Sequence, residues 1–224
     1  MKLNSPTQPM GYLLLLANGL LKIGKGAVLL FILSMAVLIS MSSVQHFFPY
    51  SQPSTFLQPK QAHYGIYLPA LYGHIFTSGL ILLLGFLGFS QWIQTQHLLW
   101  HRRLGKLYVV LILFISAPSA LIMAIYANGG WFIKLCFLLL SLLWWLFTWQ
   151  AWNSIRKKDI SRHQAFMLRS YALTLSAVTL RWYSFFVGYF FSWYNLDSYV
   201  WIAWLSWVPN LVLVEVWIRI KYKT

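Results

Sequence analysis

The stretch LYVVLILFISAPSALIMAIYA, Leu107 to Ala127, carries no charged residue. A helix needs about 20 mostly apolar residues to cross a bilayer, and a helix satisfies its own backbone N–H and C=O groups where water is absent. Five other stretches meet the same requirement: Gly26 to Val44, Ile66 to Phe89, Trp131 to Trp152, Ala165 to Phe191 and Tyr199 to Ile220. A shorter apolar piece, Met10 to Leu21, contains Asn18 and Gly19 and reads as interfacial. No small-residue cleavage signature follows it, so it is read as retained. The expected fold is all-α: a polytopic membrane bundle of six transmembrane helices over residues 26–224, behind a cytoplasmic or interfacial segment, residues 1–25.

Composition points the same way. Of 224 residues 59% are hydrophobic and 9% charged, whereas a soluble domain carries about a quarter charged. The chain cannot clothe itself in a solvated surface, which excludes a soluble enzyme and a disordered tail. The one cysteine, Cys136, lies within an apolar run and supports neither a disulfide framework nor a cysteine metal site. A net charge of +14 would suggest nucleic acid in a soluble chain. Here the basic residues fall between the apolar runs, and the partner is the lipid bilayer. Lys2, Lys22, Lys25, Arg102, Arg103, Lys106, Arg156, Lys157, Lys158, Arg162, Arg219, Lys221 and Lys223 fall on one side, against Lys60 and Lys134 on the other. The positive-inside rule then makes both termini cytoplasmic.

Function is sought among polar groups at lipid depth, where each is costly without a partner or a cavity. Those groups are His74, His101, His163, Arg169, Arg181 and Glu215. His101 and His163 open the third and fifth spans, level with each other near the cytoplasmic face. Two neutral imidazoles on separate helices suit the two axial positions of a haem iron. Capping a helix end or reaching toward the headgroups is the bland reading for each. His74 lies about 12 Å into the second span from its outer end, on a stripe with Ser78, Ile81, Gly85 and Gly88. Such small-residue stripes also serve ordinary helix packing. Arg181 lies about 27 Å beyond His163 along the axis and costs about 2.5–3.5 kcal/mol if unpaired near a span centre. Either Arg181 reaches outward to the headgroups, or Asp197 or an anion not encoded in the chain meets it. Arg169 is the mate expected for Glu215.

Weaker constellations are His97 with His101, at helical metal-pair spacing without the glutamate of a zinc protease, and an outer metal site of His46, His63 and His74. No Gly-rich phosphate loop, nucleophile elbow or carboxylate pair is present.

The elements HRRLGKLY (His101 to Tyr108) and RHQAFMLRSYALTLSAVTLRWY (Arg162 to Tyr183), with His74 before them, resemble the bacterial membrane proteins grouped as domain of unknown function 2306. The likeness covers about Tyr64 to Tyr183. The positions it carries over are His74, His101, Arg102, Gly105, Tyr108, His163, Met167, Arg169 and Arg181. The chain is also distantly similar to the cytochrome b561 group, which holds two haems between four histidines. The fourth span has no histidine here, so that likeness implies one b-type haem on the cytoplasmic side, between His101 and His163. His74 is left for a quinone, a metal or a hydrogen bond. The resemblance also implies a bacterial cytoplasmic (inner) membrane.

The leading expectation is a membrane electron-transfer protein exchanging electrons with quinone or a membrane-protein partner complex. Its site would comprise His101, His163, His74, Arg181, Arg169, Arg102 and Tyr108, the three histidines being the candidate metal ligands. The alternative is a cofactor-free membrane subunit or assembly factor whose polar residues are structural. A small-solute transporter is disfavoured by the scarcity of intramembrane carboxylates.

Overall fold

The computed structural model describes residues 58–190 and 196–221, together with Gly26, Leu30, Phe31, Ser34 and Met35. The first span is therefore represented by those five positions alone. The interfacial Met10–Leu21 piece, His46 and the Asp197 side chain lie outside the described residues.

Among the described residues every regular element is helical and no strand occurs. A 3-10 turn, Gln58–His63, leads into α1, Tyr64–Gly88; a short α2, Gln91–Gln96, turns the chain into α3, Leu98–Leu111. A π-helical segment, Ile112–Ser116, joins α3 to α4, Ala117–Ile125. Then come α5, Gly130–Arg156; α6, Ile160–Thr174; α7, Ser176–Phe190; α8, Leu196–Leu205; and α9, Val208–Lys221.

Among the described residues, four helices are long and apolar enough to cross a membrane: Tyr64–Gly88, Leu98–Ile125, Gly130–Arg156 and Ser198–Lys221. The expected Ala165–Phe191 span is carried by α6 and α7, which meet at Leu175. The third span begins at Leu98, nine residues before the expected Leu107. The basic HRRLGK run simply continues the helix, with Arg102, Arg103 and Lys106 on its exposed side.

Turn chemistry sets the order of the helices. Gly129 and Gly130 adopt φ of 104° and 85°, values that a Cβ would disfavour, and so reverse the chain between α4 and α5. At the other end Lys158 is left-handed (φ 62°), and the Asp159 side chain accepts the Arg162 N–H at 3.0 Å to cap α6. With such short connections α5 runs antiparallel to both neighbours, so α3 and α6 run parallel.

The π segment follows from Pro118. The Ala117 N–H bonds to the Ile112 carbonyl, five residues back. The next donor in that register is Pro118, which has no N–H. The Leu113 carbonyl is left open, and Trp145 Nε1 of α5 donates to it at 3.1 Å.

The core packs Ile81 and Leu84 of α1, Tyr108 and Val109 of α3, Ile112 and Leu113, Ala117 of α4, Cys136 and Trp144 of α5, Leu173 of α6, Ala203 and Trp207. Outside it, Phe114, Trp131, Phe185, Tyr189, Leu213 and Ile220 are exposed large apolar side chains. An apolar surface of that extent is the face a bilayer covers.

Candidate functional site

Tyr108 sets the register of α3 against α6. Its hydroxyl lies 3.0 Å from Ser170 Oγ and 3.0 Å from Thr174 Oγ1. His101 precedes Tyr108 by seven residues, and His163 precedes Ser170 by seven. Seven residues are nearly two full turns, about 10.5 Å, so each histidine shares a face with the residue it precedes. On parallel helices this sets the two imidazoles opposite one another at one depth, within electrostatic reach.

Their hydrogen bonds decide what each ring offers. His163 Nδ1 lies 2.8 Å from the Ala151 carbonyl. A carbonyl only accepts, so Nδ1 carries the proton and Nε2 keeps its lone pair, the arrangement typical of a metal-ligating histidine. His101 Nδ1 is buried without a partner among the described residues, so a neutral ring has no partner at that nitrogen. An added Cβ at Gly88 or Gly105 would meet nothing within 4 Å. Arg102 is exposed next to His101.

Beyond the pair the bundle interior is a closed polar layer. Ser170 Oγ lies 2.7 Å from Thr148 Oγ1, which donates to the Trp144 carbonyl at 2.7 Å. Trp144 Nε1 donates to Thr174 Oγ1 at 3.1 Å, and Thr174 Oγ1 donates to the Ser170 carbonyl at 3.1 Å. Each of these groups has a partner, as burial requires. Gly85 of α1 lets this layer close: a Cβ there would stand 2.4 Å from Tyr171 Cδ2 and Cε2 and 3.0 Å from Tyr108 Cε2.

His74 lies on the far side of this layer from the histidine pair. Its Nδ1 donates to the Ser116 carbonyl at 3.1 Å and lies 3.2 Å from Ser116 Oγ, where the π segment ends. Its ring meets Trp144 edge-on at 6.4 Å. His63 instead packs on Tyr126 at 4.7 Å, and eleven residues, about 16 Å of helix, separate it from His74. The two do not converge, and among the described residues no group of three or more His, Cys, Asp or Glu could hold a metal ion. His97 is the N-cap of α3, with φ −134° and ψ 55°, and packs on Trp92. It therefore does not share the helical face of His101.

Arg169 and Glu215 form the expected pair: Nε to Oε1 is 2.5 Å and Nη2 to Oε2 is 2.9 Å. The guanidinium also lies 4.9 Å from the Phe166 ring centroid. Arg181 is exposed, with Nη1 donating to the Ala177 carbonyl at 3.0 Å, and its charge is within electrostatic reach of His74 and Tyr199. Sequence reasoning missed Trp144, Thr148 and Ser116. Each is polar among apolar neighbours, but nothing local marks which helix face it takes.

A family model described as predicted membrane protein (DUF2306) matches residues 71–218, which include every histidine and arginine of the site. No curated protein and no solved structure matches.

Proposed function

The chain belongs to the DUF2306 family of predicted membrane proteins, and on that premise we propose a membrane electron-transfer protein holding one b-type haem between His101 and His163. The observation that carries the reading is the pair itself: two imidazoles on parallel helices, His163 with Nδ1 on the Ala151 carbonyl and Nε2 left over, His101 with Nδ1 buried and unpartnered among the described residues. His101 and His163 would hold the haem, which when bound would supply one-electron chemistry. The donor set, two imidazoles on parallel helices, fits that group.

The remaining chemistry belongs to the chain. The Ala151 carbonyl holds the His163 ring in one tautomer and orientation. The Tyr108–Ser170 contact fixes the helix register that keeps both rings level. Arg102, exposed beside His101, offers a cation to carboxylates at the membrane edge. The closed polar layer of Tyr108, Thr148, Ser170 and Thr174 walls the site from the far side. In this reading the chain spans the bacterial inner membrane six times, with both termini cytoplasmic, and passes electrons to quinone or a partner complex. The alternative, a cofactor-free subunit, draws support from how completely Arg169–Glu215 and the hydroxyl layer satisfy one another.

The test is a reduced-minus-oxidised absorption spectrum of the detergent-purified full chain from haem-replete cells. A Soret and α band lost in His101→Ala and in His163→Ala, and kept in His74→Ala, is the expected result. A colourless wild type overturns the haem reading, and bands kept in both ligand variants overturn the assignment.

A further inference from the structure

The exposed face of α3 changes chemistry along its length. Leu107, Val110 and Phe114 are exposed and recur at the three- and four-residue spacing of one helix stripe, Phe114 lying just past the end of α3 in the π segment. Arg103 and Lys106 continue that stripe by one turn and are exposed as well. Trp100 closes it, exposed, with the Arg103 guanidinium 5.8 Å from its ring centroid.

Depth suits each part of the stripe. The uncharged run Leu107 to Ala127 makes about 31 Å of helix, the thickness of a bilayer's hydrocarbon core. Lys106 and Arg103 therefore stand about 1.5 and 6 Å outside the hydrocarbon, at the level of lipid phosphates. Trp100, one turn further out, is where an interfacial aromatic sits.

The chain supplies no carboxylate to these two cations. Asp159 is its first acidic residue and caps α6 through the Arg162 N–H. Glu215 is taken by Arg169, and Asp197 opens α8, beyond the end of α7 that lies away from His163. Among the described residues neither Arg103 nor Lys106 has an ion-pair partner. Neutralisation comes from outside, and a second copy of the chain brings the same excess of cations. An acidic soluble protein would bring charge alone, whereas the two cations share their stripe with apolar side chains at hydrocarbon depth, which an acyl chain covers. A zwitterionic headgroup carries its own ammonium toward two like charges. We propose that this stripe of α3 holds one anionic phospholipid, its phosphate between Arg103 and Lys106 and an acyl chain along Leu107, Val110 and Phe114. Such binding is independent of the haem.

Native mass spectrometry of the detergent-purified full chain, titrated with phosphatidylglycerol and with phosphatidylcholine of the same acyl chains, reads the site. Wild type should bind the first phosphatidylglycerol roughly 25-fold more tightly than phosphatidylcholine, about fivefold for each cation. Arg103→Gln and Lys106→Gln should each remove about fivefold of that preference, and the two together should abolish it. Arg103→Lys keeps the charge and should keep most of the preference, which separates loss of the site from loss of the fold. Lys157→Gln combined with Lys158→Gln, off the stripe, should leave it unchanged. A wild type that does not distinguish the two lipids overturns the proposal, as does a preference that survives the Arg103→Gln, Lys106→Gln double variant or falls equally in the Lys157, Lys158 variant. Displacement of phosphatidylglycerol by soluble polyglutamate overturns it too, in favour of an acidic protein partner.

Discussion

Replacing Gly85 by alanine should be among the costliest single-methyl additions in the protein. A Cβ there would stand 2.4 Å from two carbons of the Tyr171 ring and 3.0 Å from Tyr108, so α1 or the Tyr171 ring must give by about 1 Å to restore van der Waals contact. Neither can do so freely. Tyr171 is held by its bond to the Leu82 carbonyl and by Phe89, and Tyr108 by Ser170 and Thr174. Overpacking of this kind costs about 1–3 kcal/mol, and each lost hydrogen bond adds about 1 kcal/mol. We expect a net loss of about 2–3 kcal/mol, or roughly 4–12 °C of melting temperature on soluble-domain scaling. Gly105→Ala is the internal control, since its Cβ meets nothing within 4 Å. There the helix propensity gain of about 0.5–1 kcal/mol should stand alone. Thermal unfolding in dodecyl maltoside reads both, and Tyr171→Leu should rescue Gly85→Ala in part. Equal shifts for the two glycines, or no rescue, would refute the packing argument.

For the Arg169–Glu215 pair, Arg169→Met and Glu215→Leu should each cost up to about 3 kcal/mol, the lower end for a buried pair because this one is partly exposed, and the double variant less than their sum; additive losses in the same melts would show that the pair is not coupled. Trp145→Phe should leave the Leu113 carbonyl unsatisfied at a cost of about 1–3 kcal/mol, and the cost should shrink in a Pro118→Ala background, where the missing backbone donor returns. An undiminished cost there would contradict the π-segment account. Burial lowers the Lys60 ammonium from its ordinary value of 10.5, so between the lowered value and 10.5 the unfolded chain holds the extra proton and stability rises with pH. Melting temperature should climb more steeply from pH 7 to pH 10 in wild type than in Lys60→Met, and parallel profiles would exclude that role.

Much of this structure is written in single helices. The apolar runs mark where helices lie because lipid-length segments tolerate few charges, and Glu215 finds Arg169 because few ionic mates exist at its depth. The level of His101 and His163 is likewise a matter of counting residues from a membrane edge. What periodicity within one helix cannot supply is the rotation of one helix against another. The pairing of Tyr108 with Ser170 and the place of Thr148 beneath it are set by α5 and α6 together. Depth along the span marks Arg181 as costly but not which way it faces; the chain interrupts at Leu175 and Arg181 is exposed. Pro118 was visible, but its consequence depends on Trp145 reaching across from another helix.

The central claim is tested most directly by electron paramagnetic resonance of the oxidised, purified chain, with haem quantified in the same sample. One haem per chain with a low-spin ferric signal of two imidazole ligands, converted to high spin or lost in His101→Ala and in His163→Ala, is the result predicted here. A haem-free sample, or a bis-imidazole signal that survives both substitutions, contradicts it.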